Sequence, residues 1–153
     1  MDLDRTDRAI LDELQHNGRI SNVNLATRVS LSESACLRRV RALEDAGVID
    51  RYAALINQSS AGLPDNVFVE VSLRQEQQEN LEAFESAVRQ VPEVMECYLM
   101  SGEYDYLLRV AVANTADYER IHREHITRLP GVARIRSSFA LRTVTKKTEL
   151  PIK

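Results

Sequence analysis

Tryptophan is absent, and aromatic residues make up only 5% of the 153-residue chain, which leaves little material for stacking on the bases of single-stranded nucleic acid. The two cysteines, Cys36 and Cys97, lie far apart and outside any Cys-x-x-Cys pair, so a disulfide framework, a zinc site of that type and a dithiol redox centre are excluded. Long apolar runs are missing too. No stretch approaches the roughly 18 apolar residues of a spanning helix, and the polar start Met-Asp-Leu-Asp-Arg is unlike a secretory leader; a cytoplasmic protein with no membrane partner is expected. Charge is nearly balanced, 20 basic against 23 acidic side chains for a net of −3, so affinity for a polyanion has to come from a local patch. No Gly-x-Ser-x-Gly elbow, P-loop or dinucleotide glycine fingerprint occurs, which argues against an enzyme and against a bound cofactor. Glu119, His122 and His125 share a helix face, but one helix supplies too few ligands and Arg120, Arg123 and Arg128 crowd the segment, so no metal is expected.

What is present is 44% hydrophobic residues, enough for the cores of one ordinary domain or two small ones. Residues 57–66 are rich in turn-forming and small polar types and read as a linker between residues 1–56 and 67–153. Upstream, three helices are expected. Asp4 caps the first, which buries Ile10, Leu11 and Leu14. Ser21 caps the second with Ile20 stapled to Leu25; Ser32 caps the third with Leu31 stapled to Cys36, and Gly47 closes it. Two capped helices separated by one turn at Ser30 make a helix-turn-helix. Residues 48–56 follow as a short ribbon or wing, or as a strand linking two subunits.

Downstream, a unit repeats. Val67, Val69, Val71 and Leu73 alternate, then Leu81, Phe84, Val88 and Val91 recur at helical spacing; Tyr106, Leu108, Val110 and Val112 alternate, then Tyr118, Ile121, His125 and Leu129 follow. Two such units imply an α+β fold: a βαββαβ ferredoxin-like sandwich with both helices on one sheet face. The other face is assigned Phe68, Val94, Tyr98, Met100 and Leu107, too apolar to leave wet, so a homodimer through the sheets is expected.

The third helix carries Arg38, Arg39 and Arg41 and has no acid from Ser34 to Ala42. With Cys36, Val40 and Leu43 as its buried stripe, Ser34, Arg38 and Arg39 are assigned to base reading in the major groove of double-stranded DNA. Ser21, Asn22 and Ser32 at helix N-termini are assigned to phosphates, with Arg51 beside them. A solvated arginine face is the plainer alternative for any single helix; the capped neighbour one turn upstream favours DNA. Residues 1–60 nonetheless hold 8 arginines, no lysine and 9 acids, so one module binds weakly and two joined in a dimer are needed.

Leu3-Asp4-Arg5-Thr6-Asp7, Asn17-Gly18-Arg19-Ile20-Ser21, the run from Leu31 to Glu44, Gly47-Val48-Ile49, Ser101-Gly102-Glu103-Tyr104-Asp105 and Leu129-Pro130-Gly131-Val132 closely resemble the leucine-responsive regulatory protein/AsnC (Lrp/AsnC) family. The resemblance implies a winged helix-turn-helix followed by a ligand-binding (RAM) domain that dimerises and commonly builds octamers. It also implies an amino-acid effector bound between subunits, in a sequence-specific transcriptional regulator of amino-acid metabolism. The family's Gly-x-x-Asp element falls on Gly102 and Asp105, where Gly102 admits close backbone approach and Asp105 holds an ammonium. Met100, Ser101, Tyr104, Ser137, Ser138 and Phe139 are the remaining effector candidates, and Met100, Tyr104 and Phe139 suit leucine, methionine or another apolar amino acid. On the residues alone, Gly102 and Asp105 also fit a plain hairpin turn. The alternative function is an amino-acid-sensing allosteric module acting on a protein partner.

Overall fold

The computed structural model describes residues 2–153. These fall into two compact units, residues 1–55 with 144–153, and residues 56–143.

The first unit is built from α1 (Arg5–His16), α2 (Asn22–Arg28) and α3 (Glu33–Asp45). Each starts where side-chain chemistry satisfies its free amides. Asp4 accepts from the Asp7 amide at 2.8 Å while Asp7 accepts back from the Asp4 amide at 3.2 Å, a reciprocal capping box. Ser21 and Ser32 accept from the amides of Asn24 and Ala35. Ser30 makes the turn between α2 and α3 at φ 57, and Gly47 closes α3 at φ 69 with the Val48 amide returning to the Leu43 carbonyl. Ile10, Leu25, Ala26, Cys36 and Leu43 fill the core.

Two segments outside the helices complete this unit. Residues 48–56 form no strand within the chain, so no ribbon-type wing is built by one subunit alone; Tyr52 instead ties the segment to α3 through a 2.8 Å bond to Glu44. Residues 144–153 were expected with the C-terminal domain, yet they group with the helical unit. There Gln15 bonds both the amide and the carbonyl of Leu150 at 2.6 and 3.1 Å, and Ile152 packs on the helical core.

The second unit is a four-stranded antiparallel sheet in the order β2–β3–β1–β4. Its strands are β1 (Asp65–Leu73), β2 (Val94–Leu99), β3 (Tyr106–Val112) and β4 (Val132–Phe139). Helices α4 (Gln78–Val88) and α5 (Thr115–Glu124) cover one face, where Phe84, Val88, Tyr118 and Ile121 pack on Val67, Val69, Val71, Leu108 and Val110. The expected sandwich is therefore present, with β1 starting two residues inside the expected linker. The open face carries Phe68 and Tyr98, 39% and 53% exposed.

Val94 does not belong there. It pairs with Val110 and packs into the covered core, whereas Glu96 pairs with Arg109 on the open side. The irregularity between Val94 and Glu96 inserts one residue and breaks the period-two alternation that had grouped Val94 with Tyr98.

Candidate nucleic-acid interface and effector site

At about 100° per residue, Ser34, Arg38 and Arg41 fall in one stripe of α3 opposite Cys36. All three are exposed, and neither Arg38 nor Arg41 makes a hydrogen bond or ion pair among the described residues. Arg41 was left unassigned from sequence; its i, i+3 relation to Arg38 was the available signal.

Arg39 is different. It lies about 60° from the centre of the buried stripe, on the flank of α3. Its guanidinium is held by Asp4 at 2.7 Å and by Asp7 at 2.8 Å, and Asp7 is only 4% exposed. Both carboxylates take Nη1 of Arg39, which ties α3 to α1 and turns that nitrogen away from base reading.

Asn22 is likewise occupied. Its amide donates to the Glu33 carbonyl at 2.8 Å, tying the start of α2 to the start of α3. Ser21 and Ser32 accept from helix amides; the Ser21 hydroxyl proton is left available to a phosphate oxygen, while the Ser32 hydroxyl also meets that of Ser34 at 3.4 Å. Arg51 is 80% exposed with Asp50 at 3.8 Å, a contact too long and too wet to hold it.

The Asp7 amide and the Arg39 guanidinium hold the Asp4 carboxyl below its usual range. Its stabilising contribution is complete above the unfolded-state value near 3.8 and is lost as pH falls through the lower folded value. Urea unfolding of the helical unit followed by circular dichroism should thus give a midpoint that holds above pH 4 and falls below it. Asp4→Asn, which keeps the cap oxygen, should flatten that fall.

The effector candidates separate into two groups. Met100, Ser101, Gly102, Tyr104 and Asp105 form the β2–β3 hairpin, with Gly102 at φ 140 and the Met100 amide bonded to the Asp105 carbonyl at 2.8 Å. Asp105 also accepts from the Leu73 amide at 2.7 Å. Glu76, not singled out from the sequence, lies against it: hydrogen bonding to Asp105, and then its charge, raises the Glu76 carboxyl above its ordinary range. Two acids meeting at a hairpin suit an ammonium better than either alone. On the open face beside the hairpin, a cleft of about 290 Å³ places Tyr104 and Glu103 with Arg134 and Arg136.

The other group lies toward the far end of β1. Phe139 pairs with Val67 and Ser137 with Val69 on the helix-covered face, while Ser138 pairs with Phe68 on the open face. The Tyr118 hydroxyl is bonded to Ser137, and its ring meets Phe139 edge to face at 5.4 Å. Val67 is four residues along β1 from Val71, the partner of Tyr106, or about 14 Å at 3.4 Å per residue. One chain does not bring the two groups together.

Elsewhere, Glu119 is taken by Arg123, and no group of three metal-ligating side chains comes together among the described residues. Burial pushes the Cys97 thiol up to about 11, so it is not a thiolate at neutral pH. No helix among the described residues is long and apolar enough to cross a membrane.

Residues 3–50 match the model for a winged helix-turn-helix DNA-binding domain, and residues 66–150 match the Lrp/AsnC ligand-binding domain. The chain belongs to the Lrp/AsnC family. It is 45% identical to the leucine-responsive regulatory protein of Klebsiella pneumoniae and 44% identical to that of Escherichia coli K12. Each alignment covers 99% of this chain and 93% of the relative. Among solved structures, a transcriptional regulator of Neisseria meningitidis in complex with L-methionine superposes with a TM-score of 0.93 at 41% identity, covering 98% of this chain and 97% of that one. An AsnC family transcriptional regulator of Agrobacterium tumefaciens gives 0.93 at 37%, covering 97% of each. The chain is an Lrp-type DNA-binding transcriptional regulator with an amino-acid ligand-binding domain, and its relatives are regulators rather than enzymes.

Proposed function

We propose that this Lrp/AsnC protein is a cytoplasmic, sequence-specific regulator of amino-acid metabolism whose DNA binding is set by a small apolar amino acid held between subunits. The observation that carries the reading of DNA is the exposed Ser34–Arg38–Arg41 stripe, whose two guanidiniums have no partner among the described residues, on a helix held rigid by its capped neighbour. Arg38 and Ser34 meet base edges, Arg41 joins them or the adjacent phosphates, and Ser21, Ser32 and Arg51 meet phosphates. Asn22 and Arg39 position the helices. A homodimer forms through the open sheet faces, where Phe68 and Tyr98 are exposed, and residues 48–56, which form no strand within the chain, pair with a second subunit. Dimers assemble further toward an octamer, as is common in this family.

The effector lies where the hairpin of one subunit meets another, with Asp105 and Glu76 on the ammonium and Gly102 beside the carboxylate. The separation of residues 100–105 from 137–139 supports a pocket that a second subunit completes. The L-methionine complex of the Neisseria relative supports methionine, and leucine is next. The ligand changes how dimers are spaced, and because spaced modules read DNA, a tenfold change in affinity needs about 1.4 kcal/mol.

A mobility shift repeated against a panel of amino acids, with Asp105→Asn beside the wild type, tests this. Asparagine retains an acceptor for the Leu73 amide but loses the charge. L-Methionine or L-leucine should shift DNA affinity of the wild type, and the variant should need about tenfold more ligand. A response that survives the substitution unchanged would remove Asp105 from the site; no response to any amino acid would remove the sensor.

A further inference from the structure

The reading unit has a shortage that its own helices do not correct. Residues 1–55 carry eight arginines and no lysine against nine acids, net −1, which is poor for approaching a phosphate backbone. Two of those acids, Asp4 and Asp7, also neutralise Arg39. The chain then spends its last ten residues on this unit. Residues 144–153 contain Lys146, Lys147 and Lys153 against Glu149 alone, so with them the unit turns to net +1.

The attachment is built from two contacts of different kinds. Gln15 on α1 presents its amide nitrogen to the Leu150 carbonyl and its amide oxygen to the Leu150 amide, at 3.1 and 2.6 Å, the pairing an added strand would make. Two residues on, Ile152 packs on the helical core, while Thr148, Leu150 and Pro151 line a groove with Leu3, Leu11 and Leu14. Glu149, Lys146 and Lys147 are exposed, and neither lysine makes an ion pair among the described residues. The segment is therefore fixed at its far end and leaves its basic residues in water.

We propose that residues 144–153 are a latched basic arm of the DNA-reading unit, in which Gln15 and Ile152 anchor the segment and Lys146 and Lys147 contact the phosphate backbone of duplex DNA. Its contribution is independent of sequence, unlike that of Arg38. The inference rests on the chain binding duplex DNA, as the family does, and adds to it a part of the chain that lies outside the helix-turn-helix.

Two measurements on the full-length protein test it. In fluorescence anisotropy with a labelled 30-base-pair duplex of arbitrary sequence, the Lys146→Gln/Lys147→Gln variant should show a salt slope lower by about 0.9 for each lysine that meets a phosphate. With both engaged, the wild type loses about tenfold more affinity than the variant between 50 and 200 mM salt. An unchanged slope would overturn the arm, and a wild-type chain that ignores duplex DNA would overturn it together with the DNA-reading account. The latch is read without DNA: Gln15→Ala/Ile152→Asp should raise the rate of tryptic cleavage after Lys146 and Lys147 at least tenfold, with helical circular dichroism retained. Equal rates in the variant and the wild type would show that the segment is not anchored.

Discussion

Arg38→Ala is expected to remove discrimination between the preferred DNA site and unrelated duplex by about 10- to 100-fold, the value of one bidentate guanidinium–base contact at 1–3 kcal/mol. Stability should not change, because the side chain is exposed and makes no internal bond. The control is its neighbour. Arg39→Ala should leave the ratio of specific to non-specific affinity as it was and lower both together, since its Nη1 is held by Asp4 and Asp7 and ties α3 to α1. Competition titrations with matched and scrambled duplexes separate the two outcomes. Equal loss of discrimination from both substitutions would contradict the assignment.

Asp7→Ala is the second large effect, and it acts on the fold. Asp7 is almost wholly buried, accepts from Arg39 and from the Asp4 amide, and is thus both half of a capping box and half of the bond between α1 and α3. Removing it leaves a guanidinium and an amide short of acceptors, at about 1–3 kcal/mol. Arg39 is one-third exposed and Asp4 remains as a partner, so water and the second carboxylate moderate the loss toward the middle of that range. The thermal transition of the helical unit should fall by on the order of 10 °C. In a double-mutant cycle with Arg39→Ala the two losses should be less than additive, because each substitution breaks the same bond. Full additivity would mean that Asp7 acts through the cap alone.

The local chemistry was legible and the distant chemistry was not. Asp4, Ser21 and Ser32 announced three helix starts because an N-cap is settled within three residues, and Gly47 announced a helix end because its backbone needs a positive φ. The alternation in β1 and β3 gave the covered sheet face without help from the rest of the chain. The tie of Arg39 to α1 was not legible because its partners sit 32 and 35 residues upstream, a distance that no helical wheel encodes. Val94 was put on the wrong face because one inserted residue resets strand parity and leaves no mark in composition. The docking of residues 144–153 on α1 depends on Gln15 meeting a backbone 135 residues away. Glu76 escaped notice for the same reason: only the fold brings it to Asp105.

The candidate effector residues show where one chain's sequence stops being informative. Each group is locally sensible, a hairpin around Gly102 and a strand end around Phe139, but β1 holds them apart. In the proposed function a second copy joins them, and a single sequence does not express the symmetry between copies.

Selection from a library of random duplexes with the full-length protein bears most directly on the central claim that two copies of the α3 stripe read DNA as a symmetric pair. The account predicts an enriched two-fold symmetric sequence with half-sites about 10 base pairs apart, or a multiple of it, and loss of that enrichment with Arg38→Ala. Recovery of a single asymmetric site, or of the same symmetric site by the Arg38→Ala protein, would contradict it.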